Sequence, residues 1–456
     1  MICIKTIRQT KTKPIFQEEK EFIESKLNIS LPNDCWATGG GTKYVYLDIY
    51  SKTPYIKFKV HNDGYFELLT NNSEALKDYQ QCTVAETVEQ ERIRLLEMWE
   101  RDIQRTVQFV TEHKDIPYNI SISGGKDSEV LYHLWKEVLA RLDFVPEYEF
   151  IFFNTTNEVP DVYKYIKSLP DVKIINPDMG WYQYVKEVQK NQLPTIFKRS
   201  CCSKYKEGQV RRIYDNNSPR VQVIGMRNKE SSKRASYEFF MDYDFDIKLR
   251  GNSTMPKLWS KLCPLIDYTT TDIWLTILLY GFAINQRYKY GWSRVGCCIC
   301  PFSNTYEDKL LQKHYPTFWE RFVRLATFCY NNSFILQIEG YTLQEYIDGV
   351  WKRPQSKDLQ WLKLKPTKEN IHKYAEYKDL SDEMAAKFWD KKCKSCGKKT
   401  MPIENAMFYR IYGRKEGEED IRDSICVKCF CKENNISKKE YYEMALEFKE
   451  GGCNLF

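Results

Sequence analysis

The sequence predicts an α/β protein: a doubly wound parallel sheet with a small β-leaning N-terminal module and a C-terminal module that is helical and then organised by cysteine pairs. Three observations predict it. From Tyr118 onward, short apolar runs alternate with helical patterns in units of roughly 30 residues, the rhythm of strand–helix–strand repeats. A glycine turn, Ser123-Gly124-Gly125-Lys126-Asp127-Ser128, stands where the first of these runs meets its helix. Finally, cysteines fall in tight groups rather than evenly along the chain. With 42% hydrophobic and 15% aromatic residues among 456, a disordered or low-complexity chain is excluded.

Taken in order, residues 1–85 read as a small α+β module. Lys43–Tyr50 and Tyr55–Val60 alternate β-branched and aromatic residues around a Ser-Lys-Thr-Pro turn. Residues 86–305 form the central domain. Glu86–His113 opens it with Ile93, Leu96, Met98, Ile103, Val107 and Val110 at helical spacing, which predicts an amphipathic connecting helix. Tyr118–Ser123 is then a strand, Asp127–Leu142 a helix, and Glu149–Asn154 a second strand. Pro160 opens a helix at the favoured first position. Val172–Ile175 and Val221–Ile224 are further strands, with helices near Trp181–Lys190 and Ser203–Tyr214. In such sheets ligands sit at the carboxyl ends of the strands. Residues 306–388 are helix-leaning, with breaks at Pro316, Pro354 and Pro366, and residues 389–456 hold the last cysteine pairs.

The longest apolar run, Ile273–Ile284, predicts a buried helix and falls short of the ~18 residues a membrane span requires. The start, MICIKTIRQTKTK, carries charges where a signal peptide has its apolar stretch, so the expectation is a cytoplasmic protein with no membrane partner. A formal charge of +7 permits a nucleotide or nucleic-acid partner without demanding one. The five histidines (61, 113, 133, 314 and 372) sit in no motif, which argues against a histidine base or a His-rich metal centre.

At the glycine turn, two glycines let amide N–H groups face an anion, and the following helix adds its positive end. Lys126 can pair with phosphate oxygens, Ser123 and Ser128 can donate hydroxyl hydrogen bonds, and Asp127 can hold the loop or bind Mg²⁺. Neither G-x-x-x-x-G-K-[ST] nor G-x-G-x-x-G is present. Downstream, Arg227, Lys233 and Arg234 follow a strand end at Gly225, where they can meet a phosphate or sulfate.

This loop resembles the S-G-G-x-D-S signature of the pyrophosphate-loop, or adenine nucleotide alpha hydrolase-like, superfamily. Within it the chain is most similar to the phosphoadenosine phosphosulfate (PAPS) reductase family, over about 185 residues. Phe153–Pro160 stands where that family carries Asp-Thr-Gly…Pro-Glu-Thr, and Gly225-Met226-Arg227 with Glu230–Arg234 looks like its G-x-R…S-x-x-R segment. Pro264–Tyr268 with Asp272-Ile273-Trp274, and Tyr288-x-Tyr290-Gly291 leading to Arg294–Cys297, resemble its later blocks. The resemblance implies that Ser123, Gly124, Gly125, Lys126, Asp127, Ser128, Arg227, Lys233 and Arg234 bind ATP or a related adenine sulfonucleotide with Mg²⁺. It gives Lys126, Asp127 and Arg227 the catalytic roles.

Cys201-Cys202 and Cys297-x-x-Cys300 supply four thiolates from segments 95 residues apart, suited to either a [4Fe–4S] cluster or tetrahedral zinc. Adjacent cysteines are awkward for a zinc knuckle, and the set resembles the cluster ligands of adenylylsulfate reductases and of the sulfur-activating component of DNA phosphorothioation. Cys298 is then a bystander or a redox-sensitive thiol. Cys393-x-x-Cys396 and Cys426-x-x-Cys429, 30 residues apart, read as a zinc-ribbon or treble-clef site for structural Zn²⁺. Lys391, Lys392, Lys394, Lys398, Lys399, Arg410 and Arg414 around it permit nucleic-acid contact. Reductases of the family bring a nucleophilic cysteine on a C-terminal tail; here Lys449-Glu450-Gly451-Gly452-Cys453 departs from their K-E-C-G pattern.

The expected function is an adenine-nucleotide-dependent sulfur-transfer enzyme of ATP pyrophosphatase type, adenylating an acceptor for sulfur insertion. DNA is the acceptor implied by the phosphorothioation resemblance, with a sulfur-donor or electron-donor protein as partner. Two alternatives stand beside it: a reductase that releases sulfite from adenylylsulfate or phosphoadenylylsulfate, and a non-catalytic nucleotide- or nucleic-acid-binding protein.

Overall fold

The computed structural model describes residues 6–196, 200–231, 234–250, 256–332, 341–352, 392–398, 400, 402–412 and 423–450. The chain divides into two compact units, Met1–Tyr184 with Lys198–Phe322, and Val185–Phe197 with Val323–Phe456.

The first unit begins with strand β1 (Lys13–Pro14), helix α1 (Gln17–Leu27) and strands β2 (Trp36–Gly39), β3 (Thr42–Tyr46), β4 (Ile56–Val60) and β5 (Phe66–Asn71). The five strands pair antiparallel in chain order. Alternation places Ile56, Phe58 and Val60 inward on β4. Gly39 makes the β2–β3 turn at φ +96°, where a Cβ would meet the Thr42 carbonyl at 2.2 Å. The two alternating runs read from the sequence are β3 and β4; α1, β2 and β5 are additional. Helix α2 (Val84–Glu112) follows, started by a capping box in which Thr83 and Glu86 each bond the other's backbone.

The central sheet comprises β6 (Tyr118–Ser121), β7 (Tyr148–Phe153), β8 (Val172–Ile175), β9 (Arg220–Val223), β10 (Phe240–Met241) and β11 (Trp259–Leu262), in the order β10-β11-β9-β6-β7-β8. All pairings are parallel except the β10 edge. Helix α3 (Lys126–Arg141) follows β6 and buries Val130, Leu131, Leu134, Trp135 and Val138, each 0% exposed. Each contributes roughly 1.5–3 kcal/mol of apolar burial. Helices α4 (Pro160–Lys167), α5 (Trp181–Glu187), α6 (Ser200–Cys202), α7 (Gly208–Ile213) and α8 (Tyr243–Arg250) connect the later strands, and a π-helical turn, Ser203–Glu207, joins α6 to α7. Helix α9 (Thr270–Tyr280) is the buried apolar helix the sequence predicts, ended by Gly281 at φ +65°. Helices α10 (Gln286–Tyr290), α11 (Thr305–His314) and α12 (Pro316–Asn331) come next. The strand order runs outward from β6 through β7 to β8, then returns to β9 on the other side. The crevice between β6 and β9 is therefore the switch point at which such sheets take ligands.

In the second unit, strands Lys392–Cys393 and Asp423–Ser424 pair in parallel. Around them, Met407, Phe408, Ile425, Phe430, Tyr441 and Ala445 form a small core with Cys393, Cys426 and Cys431. Among the described residues no helix is long and apolar enough to cross a membrane.

Candidate active site and metal centre

The glycine loop leaves β6 at the switch point. Gly124 takes φ +72° against Tyr165 and Ile166, a left-handed conformation that favours glycine. The Ser128 hydroxyl donates to the Gly125 carbonyl at 2.9 Å and accepts the Ser123 amide at 3.1 Å, closing the turn before α3 begins. The Ser123 hydroxyl accepts the Gly125 amide at 3.3 Å and the Tyr288 hydroxyl the Lys126 amide at 2.9 Å, so the Ser123, Gly125 and Lys126 N–H groups are all held by protein. Sequence reasoning placed Tyr288 in a family block without this role.

Asp127 is gripped from both sides. Lys126 Nζ lies 2.6 Å from one carboxylate oxygen and Arg227 Nε 2.6 Å from the other. Burial alone would raise the Asp127 carboxyl, but the two cations outweigh it and hold it below the ordinary carboxylate range. Arg227 is 1% exposed and also reaches the Tyr268 carbonyl at 3.4 Å and Thr270 Oγ1 at 3.3 Å. Gly225 permits this approach: a Cβ there would sit 3.0 Å from the Asp127 carbonyl oxygen. With both oxygens engaged, the Asp127 carboxylate ties Lys126 to Arg227. Arg234 pairs with Glu230, and Lys233 lies outside the described residues.

Two cavities flank the loop. The larger, about 380 Å³, lies over one face of the sheet beneath the Lys206–Arg211 segment. Ser123, Phe153, Ile224, Met226, Trp259 and Val210 give it a largely apolar lining, while Glu158, Lys206 and Lys261 add charge. The smaller, about 200 Å³, contacts Lys126, Arg227 and Arg294. Adjacent residues divide between them: Met226 and Val295 line the first cavity, Arg227 and Arg294 the second. Glu158, 5% exposed, accepts the Thr155 hydroxyl at 2.5 Å, and burial pushes its carboxyl up despite that bond.

The first cysteine set borders the larger cavity through its neighbours. Cys201 and Cys202 form the last turn of α6 before the π-helical segment, and Cys297 and Cys300 lie on the loop after α10. A hydrogen bond with Cys202, then burial and the nearby thiols of Cys202, Cys297 and Cys300, push the Cys201 thiol well up. Lys206 is raised chiefly by Cys297, against its own desolvation, and further by Cys202, Glu158 and Cys300. Thr155 Oγ1 lies 3.4 Å from Cys297 Sγ, and Arg294 donates to Cys300 Sγ at 3.5 Å. Cys298 is different: its thiol donates to Asn157 Oδ1 at 3.1 Å and is 5% exposed, a buried anchor rather than an open ligand. Asn157 also accepts the Cys298 and Ile299 amides at 2.7 and 3.3 Å and donates to the Ile299 carbonyl at 2.9 Å. These four thiols are in electrostatic reach of one another without the mutual convergence of the second set.

In that second set, the sulfurs of Cys393, Cys396, Cys426 and Cys429 all lie within 4.8 Å of one another. Cys396 and Cys426 are 3.7 Å apart, matching the roughly 3.8 Å edge of a tetrahedron with ~2.3 Å metal–sulfur bonds. Burial would raise the Cys393 thiol, but backbone hydrogen bonds from Cys426, Ser395 and Cys396 hold it at about 6. Cys426 caps the helix Val427–Asn434, which carries Cys429 in its first turn. Lys392, Lys394, Lys398 and Arg410 are exposed nearby; Lys391, Lys399, Arg414 and Cys453 lie outside the described residues.

Residues 117–303 match the family described as phosphoadenosine phosphosulfate reductase domain. An uncharacterized protein of Methanocaldococcus jannaschii is 26% identical over 293 residues, covering 63% of this chain and 62% of that one. The adenosine 5′-phosphosulfate reductase of Geobacillus kaustophilus is 25% identical over 163 residues, 34% of this chain and 63% of that one. The chain thus spans less than two thirds of each of these curated relatives. Among solved structures, the phosphate complex of PAPS reductase from Candida auris aligns with TM-score 0.31 and 13% identity over 43% of this chain and 87% of that one. The U34-tRNA thiolase of Methanococcus maripaludis with its [4Fe–4S] cluster aligns with TM-score 0.30 and 14% identity, over 53% and 79% respectively.

Proposed function

From a chain whose residues 117–303 are a PAPS reductase domain, we propose an adenine-nucleotide-dependent sulfur-transfer enzyme that cleaves ATP to pyrophosphate while activating an acceptor. The observation that carries this reading is the loop's position. It sits at the switch point of the sheet, with an apolar cavity of about 380 Å³ on one side and a cationic one of about 200 Å³ on the other. The first suits a purine nucleoside, and the second suits phosphates. Lys126 and Arg227, locked through Asp127, hold positive charge where negative charge develops on the leaving phosphates. Ser123, the Lys126 ammonium and the positive end of α3 orient the chain of phosphates. Glu158, kept toward its neutral form by burial, can hold or donate a proton at the cavity wall.

Cys201, Cys202, Cys297 and Cys300 are the residues that would hold a [4Fe–4S] cluster. The hydrogen-bond donor Arg294 and the Lys206 cation beside these sulfurs fit a centre of thiolates. Such a cluster supplies sulfur or electron chemistry when bound. Cys393, Cys396, Cys426 and Cys429 fit structural Zn²⁺, which folds its module and needs no open ligand position. A nucleic acid is the acceptor class proposed, with a sulfur-donor or electron-donor protein as partner.

The relationship to a Geobacillus reductase favours one other reading, release of sulfite from adenosine 5′-phosphosulfate. One assay separates the two. Anaerobically purified protein is given ATP or the sulfonucleotide, and pyrophosphate and sulfite are measured. Pyrophosphate from ATP is the expected result; sulfite release without it would replace the proposal by the reductase.

A further inference from the structure

We propose that the N-terminal antiparallel sheet completes a binding site for condensed phosphate, with Lys11, Lys13 and Lys43 facing Lys126, Arg227 and Arg294 across the 200 Å³ cavity. This rests on the nucleotide reading above and deepens it: the site would take the pyrophosphate end of the substrate or the released product. The matched family domain begins only at residue 117, so these three lysines come from outside it.

Lys43 carries the argument. On β3 the inward positions are 43 and 45, and Val45 is a core residue, 0% exposed, while Lys43 is 2% exposed. A lysine therefore occupies a position that the strand's alternation reserves for an apolar side chain. It is packed between Gly39 on β2 and Phe58 on β4, and its ammonium lies 4.3 Å from the Tyr306 ring centroid. Among the described residues no carboxylate lies within ion-pair distance of it. Burial depresses the Lys43 ammonium, Glu19 partly opposes this and Lys13 adds to it, the condition of a buried cation that an anion would relieve.

The remaining wall is fixed in place. Lys13 pairs with Glu19 and donates to the Pro14 and Tyr288 carbonyls, and Lys11 stands exposed at the rim. Thr271 ties this segment to the first turn of α9: its amide bonds the Thr10 carbonyl at 3.2 Å and its hydroxyl the Gln9 carbonyl at 2.7 Å. Thr270, next in sequence, is a partner of Arg227. Six cations line the cavity, against Glu230 on the wall and Glu19, Asp127 and Glu307 around it. The excess of two positive charges, concentrated in one small space, fits a polyanion.

The test measures affinity of the full-length chain for inorganic pyrophosphate, for adenosine, and for a 5′-phosphorylated oligonucleotide. In Lys43→Met, and in the rim variant Lys11→Glu, which leaves the core untouched, the pyrophosphate Kd should rise about tenfold with adenosine affinity unchanged. Wild-type pyrophosphate affinity in Lys11→Glu and in folded Lys43→Met would overturn the proposal, as would a loss confined to the oligonucleotide. A wild-type chain that binds pyrophosphate through these lysines but releases none from ATP would sink the enzymatic reading and leave this site standing.

Discussion

At Asp127 one carboxylate serves two cations, and its titration has a definite sign. Its folded-state pKa lies below the unfolded value of ~3.9, so its stabilising effect is complete above that value and disappears as pH falls through the folded one. Asp127→Asn should therefore lower the melting temperature at pH 6 to 7 and flatten its decline on acidification, as calorimetry across pH 2.5 to 7 would show. Lys126→Ala should reduce pyrophosphate release by about 10²–10³-fold, the usual effect of losing a charge-stabilising group; a rate near wild type would remove Lys126 from the chemistry. Lys126 and Asp127 were legible in the short loop motif and Arg227 in the separate G-x-R segment, and the structure brings the three side chains together. Glu158, Lys206 and Tyr288 were not legible as site residues. Their roles come from burial and from neighbours as far as 162 residues away, as between Tyr288 and Lys126, which no local pattern records.

Among the elements, β8 occupies the Val172–Ile175 span that the sequence predicts, and the alternation of strands and helices correctly gave the central sheet. The β10–β11 edge escaped notice because β10 has two residues and β11 interrupts its four with Ser260 and Lys261. Helix α3 anchors the loop to the core. Leu134→Ala, at a position 0% exposed, should cost about 2–5 kcal/mol in urea denaturation, a cavity effect with little change in m-value. The contact between β9's exit loop and α3 is tighter still. Gly225→Ala forces a Cβ to 3.0 Å from the Asp127 carbonyl, so Arg227 should lose its grip and nucleotide affinity should fall at least several-fold, measured by titration calorimetry.

For the molecule as a whole, the two compact units should respond separately to metal removal. A strong chelator, or Cys393→Ser, should melt the Cys393–Cys429 module first, seen as loss of bound zinc and a new low-temperature unfolding transition. Nucleotide binding by the sheet-bearing unit should persist; its loss under chelation would contradict an independent structural role. The paired Cys-x-x-Cys spacing made this module legible, whereas the neighbourhood of Cys201 and Cys202 with Cys297 and Cys300 depends on a chain reversal that spacing does not encode. Asn157 gives that reversal a mechanical consequence. Both ends of its amide and its own carbonyl are stapled to Cys298 and Ile299, while the next residue along the backbone is Glu158 at the cavity wall. The thiol-bearing loop and the chamber's carboxyl group are thus joined through a single residue, bonded to the one and covalently next to the other.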